Sequence, residues 1–318
     1  MPTHALDAVR PLLKWAGGKR QLLPQLRSYY PDQFTRYIEP FFGSGAVFFD
    51  LLQAGRLRRR RATLADVNPD LIGCYLAVRD EVETVIQELA VLAWQHARRG
   101  NDLYYAVRDR FNDLRAAGLR GLYTPEMAAM LIYLNRTGFN GLFRQNREGA
   151  FNVPAGRYLN PRICDPVHLR SVAEAWQQQG VSMELASFDA TLAQAGHGDF
   201  VYCDPPYAAL SRTASFAHYT PGGFTAVDQI RLQEAVIMAA RRGATVLVSN
   251  SNAPEILRGY STAAALNAGL VVRRVSARRA INSDAGKRGP IDELIITNAP
   301  APKLRMAKIG LKAREKTA

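Results

Sequence analysis

The chain has 318 residues, 47% of them hydrophobic, which allows one large α/β domain or a core domain with an insertion. Its three cysteines, Cys74, Cys164 and Cys203, are far apart and form no C-x-x-C pair, arguing against a disulfide framework or zinc ribbon and for a reducing cytosol. No apolar run approaches the roughly 18 residues that span a bilayer, and 41 Lys+Arg against 28 Asp+Glu, a formal charge of +13, favours a polyanionic partner through counterion release at phosphates.

Met1–Arg10 lacks the apolar core of a secretory signal, so a soluble cytoplasmic protein is expected. Next comes Pro11-Leu-Leu-Lys-Trp-Ala-Gly-Gly-Lys19-Arg20, where Trp15 and Lys19 flank two glycines. That spacing could fold an aromatic and a cation over a small ligand. On composition alone, a core tryptophan and a solvated lysine explain it as well.

Tyr37–Phe41 reads as the first strand and runs into Glu39-Pro40-Phe41-Phe42-Gly43-Ser44-Gly45. Glycines there permit a tight turn and a close backbone approach to a ligand. The F-x-G-x-G pattern is not the G-x-G-x-x-G of nicotinamide enzymes. Asp66 ends the second strand, Ala62–Val67, about twenty residues on, where an acid commonly takes ribose hydroxyls. Loop plus acid reads as a nucleoside-cofactor pocket. Between them, Arg56–Arg61 holds five arginines in six residues, a solvated edge or a phosphate contact.

From about Asp80 to Arg170 the pattern becomes helical. Val85, Ile86, Leu89 and Leu92 mark one amphipathic helix, and Leu103, Val107, Phe111 and Leu114 a second, stopped by Gly118. A third starts at Thr124-Pro125, cap then first-turn proline, and ends near Gly138. Phe139 to Pro154 follows as two extended arms about a turn at Asn146–Gly149.

Strand patterns resume at Met183–Phe188, Phe200–Asp204, Thr245–Asn250, Leu270–Ser276 and Glu293–Thr297. A helix over Ala226–Arg242 has a Thr225 cap, an apolar stripe of Ile230, Ala235, Val236 and Ala239, and Gly243 as its stop. Strands alternating with helices predict an α/β fold, a mainly parallel sheet covered on both faces. The tail after Asn298 is Pro/Ala-rich, then basic, and reads as mobile.

The most telling segment is Asp204-Pro205-Pro206-Tyr207. It sits at a strand end, where open α/β sheets bind ligands. A carboxylate, a rigidly aimed Pro205 carbonyl and a flat aromatic face suit a planar base bearing an exocyclic amine. Cys203, just before the acid, reads as a small core residue.

Together these segments resemble the Dam family of DNA adenine-N6 methyltransferases (D12 class, alpha group), from about Leu12 to Asn298. The carrying stretches are LLKWAGGK, IEPFFGSGAVFF, LADVNPDLI, YLNRTGFNGLFRQNREGAFNVPAGRY, VYCDPPYAALSRTASF and RRAINSDAGKRGPIDEL, in the family's order. The resemblance implies the seven-stranded, Rossmann-like sheet of class I S-adenosylmethionine-dependent methyltransferases with an inserted helical target-recognition domain carrying a β-hairpin. Residues 1–78 and 171–298 would form the cofactor-binding catalytic domain, 79–170 the recognition domain and 299–318 the tail.

It further implies an S-adenosylmethionine pocket lined by Trp15, Lys19, Glu39, Phe41, Gly43, Gly45, Asp66, Ser187, Phe188 and Asp204. Asp204, Pro205, Pro206 and Tyr207 would be catalytic, with no metal needed. Double-stranded DNA would be the partner, its adenine flipped from the stack. In family terms Phe139 wedges into the gap beside Asn140, and Leu142 and Pro154 meet thymine methyls. Arg144 takes guanine, and Lys14 and Tyr158 read the outer pair, residue types that suit GATC. Arg279, Lys287 and Arg288 lie in a loop that the family sets against the DNA backbone.

Two departures stand out: Thr137 replaces a frequent aromatic, and Phe139 has no hydroxyl. Phe139, Leu142 and Phe143 could instead form the hairpin's own core. Another planar-amine methyltransferase, acting on cytosine N4, RNA adenine or a glutamine amide, and a regulator that has lost catalysis remain as alternatives. Oligomeric state stays open, a monomer included.

Overall fold

A computed structural model of the protein describes residues 9–117, 123–207, 223–278 and 290–300. Seven strands form one sheet in the order β3-β2-β1-β4-β5-β7-β6. They are β1 Arg36–Glu39, β2 Arg61–Asp66, β3 Val181–Leu185, β4 Asp199–Cys203, β5 Thr245–Ser251, β6 Val271–Arg278 and β7 Pro290–Thr297. The pairs β1–β2, β1–β4, β2–β3 and β4–β5 are parallel, whereas β7 runs antiparallel to both β5 and β6. All seven expected strands are present, in the expected α/β class and in one seven-stranded sheet. The central β4 is buried along its whole length, as a strand covered on both faces must be.

Eleven α-helices are described: α1 Leu23–Leu26, α2 Ala46–Gln53, α3 Pro69–Asp80, α4 Val82–Arg99, α5 Asn101–Ala116, α6 Pro125–Thr137, α7 Pro166–Trp176, α8 Phe188–Ala193, α9 Ala226–Arg241, α10 Pro254–Tyr260 and α11 Ala263–Asn267. Their starts follow local chemistry. Asn68, Thr124, Asp165, Ser187 and Thr225 each accept a backbone N–H of the first turn, satisfying a donor the helix cannot.

Two layers of apolar side chains sandwich the sheet. One joins Ile38, Val201, Cys203, Val246 and Ile296 to α8, α9 and α10. The other starts from Tyr37, Leu64 and Phe200 and runs without a break through Tyr75 and Trp176 into Val85, Tyr104, Phe111 and Phe151. The helical segment α4–α6 is therefore cemented to the sheet layer by shared core. Cys203 is fully buried, as expected for a packing residue, and burial pushes its thiol pKa up.

Three local expectations need correction. Strand β3 ends at Leu185: Ser187 is the N-cap of α8 and Phe188 its first residue, because the serine hydroxyl captures the Ala190 N–H at 3.3 Å. On α9 the buried stripe is Leu232, Val236, Ile237, Ala239 and Ala240, while Ile230 is exposed. The Phe139–Pro154 segment is a hairpin held by the isolated bridges Gly138↔Ala155 and Gln145↔Phe151, with a 3-10 turn at Phe139–Gly141 interrupting the outgoing arm.

The arginine run is also explained. Arg61 opens β2, so Arg56–Arg61 lies at the opposite end of the sheet from the ends of β1, β2 and β4. Arg56 bonds the Pro31 carbonyl, Arg60 bonds Gln33, and both guanidinium groups sit against the Phe34 ring. Among the described residues no helix is long and apolar enough to cross a membrane.

Candidate active site

Three acids come together where β1, β2 and β4 end, at Glu39, Asp66 and Asp204. The turn after β1 is pinned from both sides. Gly43 donates its N–H to Asp66 Oδ2 at 3.0 Å and accepts from the Tyr75 hydroxyl at 2.8 Å. Asp66 Oδ1 accepts from the Asn68 N–H at 3.0 Å, so one carboxylate ties the glycine turn to the cap of α3. Gly43 and Gly45 both adopt positive φ, and a Cβ on Gly45 would stand 2.5 Å from the Phe42 ring. The site needs glycine there for two independent reasons, backbone angle and space.

Glu39 is buried and accepts from the Tyr37 hydroxyl at 2.8 Å and from the Phe48 N–H. Burial nevertheless holds its pKa well above the usual carboxylate range, and the same cause raises Asp66 more moderately. Such a cluster favours a cationic guest bearing hydroxyls, which would offset the desolvation of the carboxylates. Phe41 and Phe188 stack at 5.4 Å and 21°, with Phe224 edge-on at 5.8 Å, forming an aromatic wall beside the turn. Ser187 itself is exposed, its hydroxyl engaged in capping.

The Asp204-Pro205-Pro206-Tyr207 turn follows directly from β4. Asp204 Oδ1 receives the Lys19 ammonium at 2.8 Å and the Ser249 hydroxyl at 3.0 Å. Lys19 is only 7% exposed, so it is neither a solvated lysine nor a bystander. The same ammonium donates to the Gly17 carbonyl at 2.7 Å and stands 4.3 Å from the centre of the Tyr207 ring. Burial pushes the Asp204 pKa above the ordinary range, while Lys19 and Ser249 pull it back toward the charged form. Gln229 donates to the Pro206 carbonyl at 2.9 Å and accepts from Asn250, bracing the turn from α9 and β5. Tyr207 donates its hydroxyl to Glu293 on β7 at 2.6 Å.

The family profile described as the D12 class N6 adenine-specific DNA methyltransferase matches residues 15–273. The chain belongs to this class. It is 36% identical over 297 residues to the type II methyltransferase M1.LlaDCHI of Lactococcus lactis, covering 91% of this chain and 95% of that one. It is 37% identical over 300 residues to the type II methyltransferase M.MjaIII of Methanocaldococcus jannaschii, covering 91% and 99%. It is 36% identical over 294 residues to the DNA adenine methylase of Escherichia coli, covering 92% and 96%.

In this methyltransferase the hairpin presents a strip of exposed side chains beside the site. Lys14, Phe139, Asn140, Arg144, Pro154 and Tyr158 are exposed and Leu142 is half-buried, whereas Phe143 is core. Phe143 stacks on Trp15 at 5.4 Å, and Trp15 in turn abuts the Gly43 turn, so the hairpin and the acid cluster share one aromatic contact. Asn140 has φ 54°, a strained left-handed geometry outside glycine, at the tip beside the exposed Phe139. The Lys14 ammonium lies 4.8 Å from the Tyr158 ring centre. Arg144 lays its guanidinium on Asn152, donating from Nε to Oδ1 at 2.8 Å and from a terminal nitrogen to the carbonyl at 3.1 Å. Arg279, Lys287 and Arg288 lie outside the described residues.

Several residues escaped the sequence reading. Asn135, buried, links the Lys14 backbone to the hairpin entry by accepting from the Lys14 N–H and donating to the Lys14 and Gly141 carbonyls. Ser249 and Glu293 hold Asp204 and Tyr207 from strands 45 and 86 residues away. Periodicity carries no signal for such pairs, because each lies in a strand whose pattern is satisfied without it.

Proposed function

We propose that this D12-class enzyme transfers a methyl group from S-adenosylmethionine to N6 of an adenine flipped out of duplex DNA, within GATC, as a soluble protein acting on DNA in the cytoplasm. The observation that carries this reading is Asp204, a carboxylate held by Lys19 and Ser249 at the end of β4, next to a rigid Pro205 carbonyl and the ring of Tyr207.

S-adenosylmethionine, when bound, supplies an electrophilic methyl on a sulfonium. The acid cluster and glycine turn fit such a cation. Trp15, Lys19, Glu39, Phe41, Gly43, Gly45, Asp66, Ser187, Phe188 and Asp204 are the residues assigned to hold it, with Asp66 at the ribose hydroxyls.

The adenine amine is a poor nucleophile because its lone pair is delocalised into the ring. Oδ1 of Asp204 already serves Lys19 and Ser249, so the incoming N–H is assigned to Oδ2 and the second N–H to the Pro205 carbonyl. Two such acceptors favour a more tetrahedral nitrogen with its lone pair aimed at the methyl. Tyr207 stacks on the base with the ring face opposite Lys19, its tilt set by the bond to Glu293. Fixed alignment and preorganised charge supply most of the acceleration. On the DNA side, Phe139 fills the vacated space beside Asn140, Arg144 reads guanine, Leu142 and Pro154 meet thymine methyls, and Lys14 with Tyr158 reads the outer pair.

The test is transfer of labelled methyl to duplexes with and without GATC. Labelling of adenine N6 in the GATC duplex alone is expected. Labelling independent of GATC overturns the site assignment, and no labelling of any adenine overturns the reading.

A further inference from the structure

Four backbone groups on one edge of the hairpin's return arm, the carbonyls of Gly149, Phe151 and Val153 and the N–H of Phe151, are taken by the side chains of a single helix. On α5, Tyr104 donates its hydroxyl to the Val153 carbonyl at 2.9 Å. Asn112 donates to the Phe151 carbonyl at 3.0 Å and accepts the Phe151 N–H at 2.7 Å, closing both backbone groups of that residue. Arg115 donates to the Gly149 carbonyl at 2.7 Å. The contacted residues alternate, 149, 151 and 153, which is the period of one edge of an extended chain.

The intervening residues face the other way. The Ala150 carbonyl accepts from the Asn146 N–H and the Asn152 N–H donates to the Arg144 carbonyl, with the Asn146 and Arg144 side chains closing the reverse bonds, and the Pro154 carbonyl accepts from the Phe139 N–H. The return arm is thus an extended segment between two partners, its own hairpin arm on one side and α5 on the other. Asn112 stands in for a third strand, because a carboxamide presents the same donor and acceptor as a peptide group. Tyr104, Asn112 and Arg115 fall within about 80° of one another around the helix at 100° per residue. Their span of about 16 Å along α5 approximates the roughly 13 Å between residues 149 and 153 of an extended arm.

Arg115 also reaches the catalytic unit. Its Nε donates to both oxygens of Asp70, at 3.0 and 3.1 Å. Asp70 is 4% exposed and lies in the first turn of α3, just past the Asp66–Asn68 link that pins the glycine turn.

We infer that Tyr104, Asn112 and Arg115 are positioning residues that index the reading hairpin against the catalytic sheet and so set which bases Leu142, Arg144 and Pro154 can reach. The inference rests on the reading of this hairpin as the base reader. An extended arm indexed at alternate residues cannot slip by one without turning every side chain to the other side. A side chain that touches no DNA therefore controls specificity.

The experiment uses the full-length enzyme and a set of duplexes carrying GATC or each single-base change of it. Wild type is compared with Asn112→Ala, Tyr104→Phe and, as control, Arg144→Ala. The kcat/KM ratio of GATC to near-cognate sites should fall by about tenfold in Asn112→Ala and by less in Tyr104→Phe, with cofactor affinity retained. A merely structural role would lower the rate on all sites in proportion and leave the ratio unchanged. If Asn112→Ala does not fold, Tyr104→Phe, which removes a single hydroxyl, carries the test. An unchanged ratio in both variants while Arg144→Ala relaxes it overturns the inference alone. An unchanged ratio in Arg144→Ala as well removes the hairpin as reader, and the inference falls with its premise.

Discussion

The ammonium of Lys19 lies 2.8 Å from Asp204 Oδ1 and 4.3 Å from the centre of the Tyr207 ring, so one buried cation contacts both ends of the Asp204–Tyr207 turn. Its charge opposes the burial that pushes the Asp204 carboxyl toward its neutral form. In the proposed mechanism a neutral Asp204 would lose acceptor capacity for the adenine amine, and Lys19 would preserve the ionised state.

Replacing Lys19 with methionine should therefore move the acid limb of the pH–rate profile upward. The sign follows from removing a positive neighbour: the Asp204 pKa rises further, and activity requiring the carboxylate returns only at higher pH. Initial rates at saturating cofactor across pH 5–9 measure this. An unmoved acid limb would assign that limb to another group. Asp204→Ala should lower methyl transfer by at least about 10²-fold while sparing DNA affinity. Near-normal turnover would take Asp204 out of the mechanism.

Glu39 predicts a stability effect. Its folded-state pKa is held above the unfolded value by burial, so its contribution is present below the ordinary carboxylate range and lost as pH rises through the raised value. Glu39→Gln removes the titration and keeps an acceptor for Tyr37. Thermal unfolding without cofactor should show the variant about 2–4 °C more stable at pH 8, with the gap closing toward pH 4. A gap independent of pH would show that Glu39 does not titrate as described.

The Tyr207–Glu293 bond separates ring from hydroxyl. Tyr207→Phe keeps the stacking surface and loses only the tether, so kcat should fall by roughly tenfold at most, and Glu293→Gln should behave alike. Tyr207→Ala should cost far more. Equal losses in Tyr207→Phe and Tyr207→Ala would place the function in the hydroxyl.

Arg144 rests on Asn152 through Nε and one terminal nitrogen. Arg144→Ala should reduce discrimination at one guanine by about 1–3 kcal/mol while leaving the other positions ordered as before. Kinetics on duplexes altered at that pair check this, and unchanged discrimination removes Arg144 from the reader.

DNA affinity should fall steeply with salt. Because Arg58 and Arg59 are exposed at the far end of the sheet, their joint change to alanine should leave the slope of log K against log salt unaltered. A flatter slope in the double variant would bring the arginine run onto the DNA path.

The sequence by itself determined the seven strands, the helices α4, α5, α6 and α9, and the caps Thr124 and Thr225. Seven strand patterns, the periodicity of α4 and α5, and the start and stop of α6 were legible because burial on both faces and helical periodicity are written locally, while the expected stop at Gly118 lies outside the described residues. The motifs at strand ends, F-x-G-x-G, Asp66 and Asp204-Pro-Pro-Tyr, were legible too, although Asp66 and Gly45 also carry structural demands, at Asn68 and against the Phe42 ring. Tertiary structure alone decided what those groups face. It buried Lys19 against Asp204, hung Tyr207 on Glu293, turned Ile230 outward, put the arginine run at the far end, and laid the return arm along Tyr104, Asn112 and Arg115. Each of these is a contact between segments whose own patterns are complete without it, so only the packing of the whole chain selects it.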